Sequence, residues 1–324
     1  MRFEQAFSRP DLLGFYVKER LNQLHHLIRY RRGHAMIIYL LSALFGQWIL
    51  DRYTSWRINR TGTPFHRIQV GNHEMVLSLT DSGISRTLFV YGIHEERPAA
   101  MFEAFVRKAA NVVDEPVVID IGANIGYYVL REAAAVGPNG RVLATEPVEA
   151  TRELLACNVA VNDYEKIINI DPYAIGKESG TRSFYCSPAT NRSRFTHEST
   201  ETGTDRVPVK TLDEYARTKG VEPGAVTAVR MDVEGFELEI LQGMDAVLSG
   251  TGPFVMYIEV HPGILGNDHD RLLSLLADAD LEILAVESGI VIGGPFETAP
   301  DASTYRELRS VKRAYALMVG RELS

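Results

Sequence analysis

Six residues of this 324-residue chain stand where acids or an imidazole can act on a bound ligand. Asp120 ends the run Val117-Val118-Ile119, and Glu146 ends the run Ala144-Thr145 before Pro147. Asp232 and Glu234 follow Ala228-Val229-Arg230-Met231, while Glu259 and His261 close the stretch from Tyr257 to Pro262. Short apolar runs rich in β-branched residues read as buried strands. In open α/β sheets, ligands bind beyond the carboxyl ends of the strands. The six side chains are therefore expected along one crevice.

After Asp120 comes Gly122-Ala123-Asn124-Ile125-Gly126, then the start of an apolar helical pattern. Such a turn is expected to present free backbone N–H groups and to let a ligand approach the main chain. A dinucleotide fingerprint, G-x-G-x-x-G, needs a middle glycine that is lacking here. Glu146 is placed to accept hydrogen bonds from ribose hydroxyls. Asp120 suits an amine or a sulfonium-bearing ligand, because a carboxylate attracts cations. Together these favour S-adenosylmethionine over a dinucleotide.

Methyl transfer to a hydroxyl needs alignment and, at the acceptor, a base. His261 is the first candidate, since an imidazole titrates near neutral pH. Glu234 is the second, provided that burial raises its pKa. Asp232 would orient either one, or the acceptor. The plainer alternatives are a structural His before Pro and a Glu234 that caps the following helix. A divalent metal among Asp232, Glu234 and Glu259 is a minor reading, and no metal is assigned.

From residue 117 onward, strand and helix patterns alternate, which implies a parallel sheet covered on both faces. Strands are expected at 117–121, 141–146, 167–171, 226–232, 254–260, 281–286 and 313–319, with a short one at 207–209. Helices are expected at 126–136, 148–161, 237–249 and 268–279. Upstream, residues 67–70 and 74–79 read as a hairpin around Gly71-Asn72, residues 87–91 as another strand, and residues 98–110 as a helix. The polar stretch 186–206 breaks the rhythm and reads as a lid or a loose tip. Arg192 and Arg194 within it could meet an anionic acceptor.

These motifs resemble the FkbM-type family of S-adenosylmethionine-dependent O-methyltransferases. The resemblance rests on Asp120-Ile121-Gly122-Ala123-Asn124-Ile125-Gly126, Glu146-Pro147, Asn158 to Asn162, Thr211-Leu212-Asp213 and Asp232-Val233-Glu234-Gly235-Phe236-Glu237. It covers roughly residues 83–262, and Arg230 stands where a lysine is usual. The resemblance implies a class I methyltransferase fold, α/β and Rossmann-like, with seven strands of which the last is antiparallel. It implies that Asp120, Gly122, Ala123, Asn124 and Gly126 hold the methionine part of S-adenosyl-L-methionine. Glu146 would hold the ribose, and Ala174 would lie near the adenine. Sugars, glycans and related hydroxyl compounds are the implied acceptors. The competing functions are a dinucleotide-dependent oxidoreductase and a non-catalytic membrane-associated module.

The formal charge is −8, divided unevenly. Residues 1–60 carry a net +6 and the remainder −14. A basic head on an acidic body suits an anionic partner for the head and argues against a nucleic-acid binder. Residues 11–60 read as helical, with a sixteen-residue uncharged run at 35–50. About 20 residues span a bilayer. The run therefore leaves three readings open: a helix packed on the body or on a second subunit, a peripheral membrane contact, or a spanning helix. The expected organisation is a helical basic extension at 1–60, a β-hairpin and helix lead-in at 61–110, and the cofactor-binding domain at 111–324. The two cysteines, Cys157 and Cys186, lack metal-ligand spacing. Cys157 reads as core, and a reducing, cytoplasmic setting is the default.

Overall fold

A computed structural model describes residues 47–185, 194–195, 204–288 and 302–323. They fall into two compact units that divide between Glu96 and Arg97. In the first, helix α1 (Gln47–Thr61) precedes an antiparallel hairpin of β1 (Phe65–Val70) and β2 (His73–Ser78), as the sequence pattern implies. Helix α2 (Ile84–Tyr91) replaces the strand expected at 87–91. Asp81 accepts the N–H groups of Gly83 and Ser85 at the helix start. Gly92, in the left-handed region, ends it. Local capping thus overrides the β propensity of Thr87-Leu88-Phe89-Val90. Of the uncharged run at 35–50, only the last four residues are described, and they are helical. Among the described residues, no helix is long and apolar enough to cross a membrane.

The second unit holds the sheet that carries the site. After helix α3 (Glu96–Ala110) come β3 (Val117–Ile121), α4 (Tyr127–Val136), β4 (Arg141–Thr145), α5 (Glu149–Ala160) and β5 (Ile168–Asp171). A small excursion follows: β6 (Ala174–Ile175), β7 (Gly180–Tyr185), β8 (Arg194–Phe195) and β9 (Thr204–Lys210). The chain then returns through α6 (Leu212–Thr218), β10 (Ala228–Met231), α7 (Glu237–Leu241), α8 (Asp245–Leu248) and β11 (Phe254–Val260). It ends with α9 (Pro262–Leu265), α10 (Asp268–Asp278), β12 (Glu282–Ser288), α11 (Tyr305–Leu308) and β13 (Tyr315–Arg321).

The seven-stranded sheet has the order β12-β13-β11-β10-β3-β4-β5. β13 runs antiparallel to both its neighbours, and the β3, β4, β5, β10 and β11 pairings are parallel. This is the expected class I arrangement of seven strands with the last reversed. The core strands β3 and β11 are buried along their whole length, which suits their continuous apolar runs. The chain order reverses direction between β3 and β10, which makes the gap beyond their carboxyl ends the natural ligand crevice.

Three local readings change. The helix expected at 237–249 is two helices. The break at Gly243 brings the backbone against Gly176, whose carbonyl oxygen would stand 2.3 Å from any Cβ added there. Asp213 then caps α8 through the N–H groups of Ala246 and Val247. Cys157 is exposed rather than core, because α5 turns Leu154, Leu155, Asn158 and Val159 inward instead. The strand expected at 207–209 extends to Thr204–Lys210 and belongs to a second, four-stranded sheet of order β6-β9-β7-β8. Much of the polar stretch 186–206, including Cys186 and Arg192, lies outside the described residues, as does the Arg194 side chain.

Candidate functional site

The loop after β3 is closed upon itself. The N–H groups of Gly122 and Ala123 both reach the Thr145 carbonyl at 3.0 Å. That of Asn124 reaches Glu146 Oε2 at 2.9 Å. That of Ile125 reaches Asn124 Oδ1 at 2.8 Å, and that of Gly126 reaches the Ala123 carbonyl at 3.0 Å. The free N–H groups expected from the sequence are therefore already engaged. A buried turn must satisfy its donors somewhere, and here the Thr145 carbonyl, Glu146 and the loop's own Asn124 and Ala123 do so. Asn158, fully buried, donates to the Ile125 carbonyl at 2.8 Å and locks the other side of the loop. A pyrophosphate, which needs such donors free, finds none on these five residues.

Close approach explains the first glycine. Gly122 lies at φ +77°, and a Cβ there would stand 2.7 Å from the Asp232 carbonyl. The β3 loop thus touches the end of β10, which brings Asp120, Gly122 and Asp232 to one place. Asn124 also adopts a left-handed backbone, φ +51°, a conformation that asparagine tolerates better than most residues.

Beneath the loop, sheet register aligns Asp120, Arg230 and Tyr257 on three adjacent strands. Arg230 spans two acids, with Nη1 3.3 Å from Asp120 Oδ1 and Nη2 3.2 Å from Asp232 Oδ2. Its guanidinium lies 3.8 Å from the centroid of the Tyr128 ring and 5.6 Å from that of Tyr257. Burial works against the arginine's charge, but Asp120 and Asp232 outweigh it and hold the group protonated. Asp120 is fully buried, so it bears on the crevice through Arg230 rather than through an exposed oxygen. An arginine has the reach to bridge both acids with separate nitrogens, which a lysine would not do in this way.

Glu132, which the sequence reading passes over, is buried beside Asp120. Burial, and then the charge of Asp120, push its carboxyl well above the ordinary range, and neither of its oxygens has a hydrogen-bond partner among the described residues. The signal was a lone acid four residues after Tyr128, on the buried face of α4.

Glu146 is 6% exposed and uses both oxygens, Oε2 for Asn124 and Oε1 for the Val148 N–H at 2.9 Å. Burial raises its pKa to about 7 against the pull of these two hydrogen bonds. Ala174 lies in a small apolar cluster with Phe184, Val207 and Val209, against which Val148 and Phe236 pack. It therefore sits in the core of the second sheet, on the side of Glu146.

The remaining candidates gather beyond β10 and β11. His261 Nδ1 lies 2.7 Å from Glu237 Oε1. Its Nε2 lies 3.8 Å from Glu234 Oε2 and 3.9 Å from Glu259 Oε1. Burial lowers the imidazole pKa, but the hydrogen bond and charge of Glu237, with Asp232 and Glu234, raise it to about 9. Instead of titrating near neutrality, His261 is an imidazolium at pH 7 as the chain stands. Glu237, fully buried, is the second residue missed, although it closes the motif that begins at Asp232. Glu234 has φ +51°, a costly backbone for a glutamate and one that concentrates at functional turns.

The family description "Methyltransferase FkbM domain" matches residues 120–283. The hexuronic acid methyltransferase AglP of Haloferax volcanii is 30% identical over 161 residues, 50% of this chain and 62% of AglP. Methyltransferase sdnD of Sordaria araneosa is 26% identical over 164 residues, 42% of this chain and 63% of that protein. The match thus spans less than two thirds of either relative. Among solved structures, a putative transferase of Pyrococcus horikoshii superposes with a TM-score of 0.45 at 12% identity, over 83% of this chain and 82% of that one. Aeropyrum pernix fibrillarin with S-adenosyl-L-methionine bound gives 0.39 at 14% identity, over 69% and 74%.

Proposed function

Because this chain belongs to the methyltransferase FkbM domain family, we propose that it is an S-adenosylmethionine-dependent O-methyltransferase acting on a sugar or glycan hydroxyl. The observation that carries the cofactor reading is the self-satisfied loop 122–126. With its five N–H groups engaged, the loop offers a shaped main-chain wall and no anion cradle. That suits a ligand with a sulfonium and an ammonium, and it argues against the pyrophosphate of a dinucleotide. The residues fit the group in two further ways. Gly122, with no Cβ, lets the loop close on the Asp232 carbonyl and so sets the wall against the end of β10. Glu146, at the end of β4, retains lone pairs for ribose hydroxyls.

Once bound, S-adenosylmethionine would supply an electrophilic methyl carbon on sulfur. The chain's own task is to align the acceptor and receive its proton. Glu234, held at φ +51° with Oε2 3.8 Å from His261 Nε2, is assigned the proton, with His261 and Asp232 orienting the hydroxyl. This reverses the order in which the sequence ranks the two bases. The sugar acceptor draws support from the name of AglP, a hexuronic acid methyltransferase.

A lipid-linked acceptor draws its support from α1. Trp48 and Trp56 are exposed there, with Arg52 and Arg60 beside their rings. Aromatic and basic residues side by side suit a membrane interface. Deletion of residues 1–60 is expected to abolish sedimentation with anionic vesicles; unchanged sedimentation removes this part of the proposal.

The deciding experiment incubates the protein with methyl-labelled cofactor and fractionated glycan and lipid extracts, followed by mass spectrometry. A labelled sugar methyl ether is expected. Label found only on nitrogen or carbon acceptors would overturn O-methylation.

A further inference from the structure

We infer that Asp232, Glu259 and His261 form a divalent-cation site, suited to an ion such as Mn²⁺ that accepts carboxylates and an imidazole, at the carboxyl ends of β10 and β11. The proposal deepens the methyltransferase reading by naming a partner of the acceptor side, and it rests on that reading for its role. One ligand atom from each of the three residues lies within 4.8 Å of the others. The register explains the grouping. Met231 pairs with Ile258, so the next residues, Asp232 just past β10 and Glu259 near the end of β11, lie side by side. His261, two residues after Glu259, points to the same side, as alternation along a strand requires.

The histidine is held as a metal-binding histidine is held. Nδ1 is engaged by Glu237 Oε1 at 2.7 Å, and the same oxygen accepts the Gly235 N–H at 3.1 Å. A carboxylate on one ring nitrogen fixes the ring and turns the other nitrogen toward the ion. Glu237 is fully buried, and its Oε2 has no hydrogen-bond partner among the described residues. Nε2 faces Glu234 and Glu259 at 3.8 and 3.9 Å, beyond hydrogen-bond range. Two donors bound to one ion at about 2.0–2.1 Å would be separated by roughly 3–4 Å. The spacing is thus that of groups that can share an ion, which on binding takes the place of the Nε2 proton and releases it to solvent.

Charge points the same way. Asp232, Glu234, Glu237 and Glu259 converge here, and Arg230, the nearby guanidinium, is divided between Asp120 and Asp232. Two carboxylates with one imidazole are a harder donor set than thiolate sites and a softer one than all-oxygen sites, which favours Mn²⁺ over Ca²⁺. The ion's remaining positions are left for water or for the acceptor hydroxyl.

Electron paramagnetic resonance of free Mn²⁺, titrated with the full chain, tests this. One saturable site of micromolar affinity is expected. It should weaken at least tenfold in Glu259→Gln and His261→Ala, while S-adenosylhomocysteine binding, measured by calorimetry on the same samples, changes less than threefold. Retained cofactor binding also establishes that the variants are folded. Wild-type protein that binds S-adenosylhomocysteine but shows no saturable Mn²⁺ would overturn the cation site alone. Mn²⁺ binding without S-adenosylhomocysteine binding would overturn the methyltransferase reading and leave the site standing.

Discussion

The two sides of the crevice are built on opposite terms. On the β3–β4 side, every loop N–H from Gly122 to Gly126 is satisfied, and Glu146 and Asn158 pin the turn from either flank. On the β10–β11 side, acids crowd one imidazole, and Glu234 sits in a strained backbone. The first side has its donors satisfied without a ligand; the second gathers four acids, Arg230 and His261 at the ends of β10 and β11. On the proposed function, a cofactor is met by a preorganised wall, whereas an acceptor would meet groups whose state changes on binding.

The largest effect should come from the β10–β11 side. Glu234→Gln is expected to lower kcat by about 10²–10⁴-fold, with S-adenosylhomocysteine affinity nearly unchanged. Single-turnover kinetics on any accepted glycan checks this, and near-wild-type turnover would remove Glu234 as the proton acceptor. Next is the arginine that joins the sides. Arg230→Met leaves Asp120 buried without its cation and should cost about 3–5 kcal/mol of stability by urea unfolding. Arg230→Lys keeps the charge and should fall between the two. Gly122→Ala forces a Cβ against the Asp232 carbonyl at a positive φ. We expect a loss of about 1–3 kcal/mol in stability or cofactor affinity.

The smallest effect is a pH dependence confined to the β3–β4 side. Glu146 titrates at about 7. If ribose hydroxyls need its ionised form, S-adenosylhomocysteine affinity should fall about tenfold from pH 8 to pH 6. Glu146→Gln should bind more weakly but without this slope. The raised pKa also has a sign for folding. The stabilisation linked to this group is fully present below about 4.5 and is lost as pH rises through about 7. Chemical denaturation across that window should show the loss in the wild type and not in the variant.

The sequence carried the sheet further than the site. Seven strands were readable because buried parallel strands are continuous apolar runs, and β3 and β11 match their expected ends. Asp120, Glu146, Asp232 and His261 were readable because they end those runs. What escaped was pairing. Nothing local in the sequence says that Glu146 reaches back to Asn124, that Glu237 holds His261, or that the charge of Asp120 bears on the buried Glu132. These contacts join residues brought together only by the crossovers, and each alters a pKa or a free donor. The same limit explains Thr87–Tyr91, where the Asp81 cap decided for helix against strand propensity.

Isothermal titration of the full chain with S-adenosylhomocysteine and, separately, with NAD most directly tests the claim that the closed loop is one wall of a methyl-donor pocket. Saturable binding of S-adenosylhomocysteine, weakened in Gly122→Ala, with no heat from NAD is the expected result. Binding of NAD in place of S-adenosylhomocysteine would contradict it.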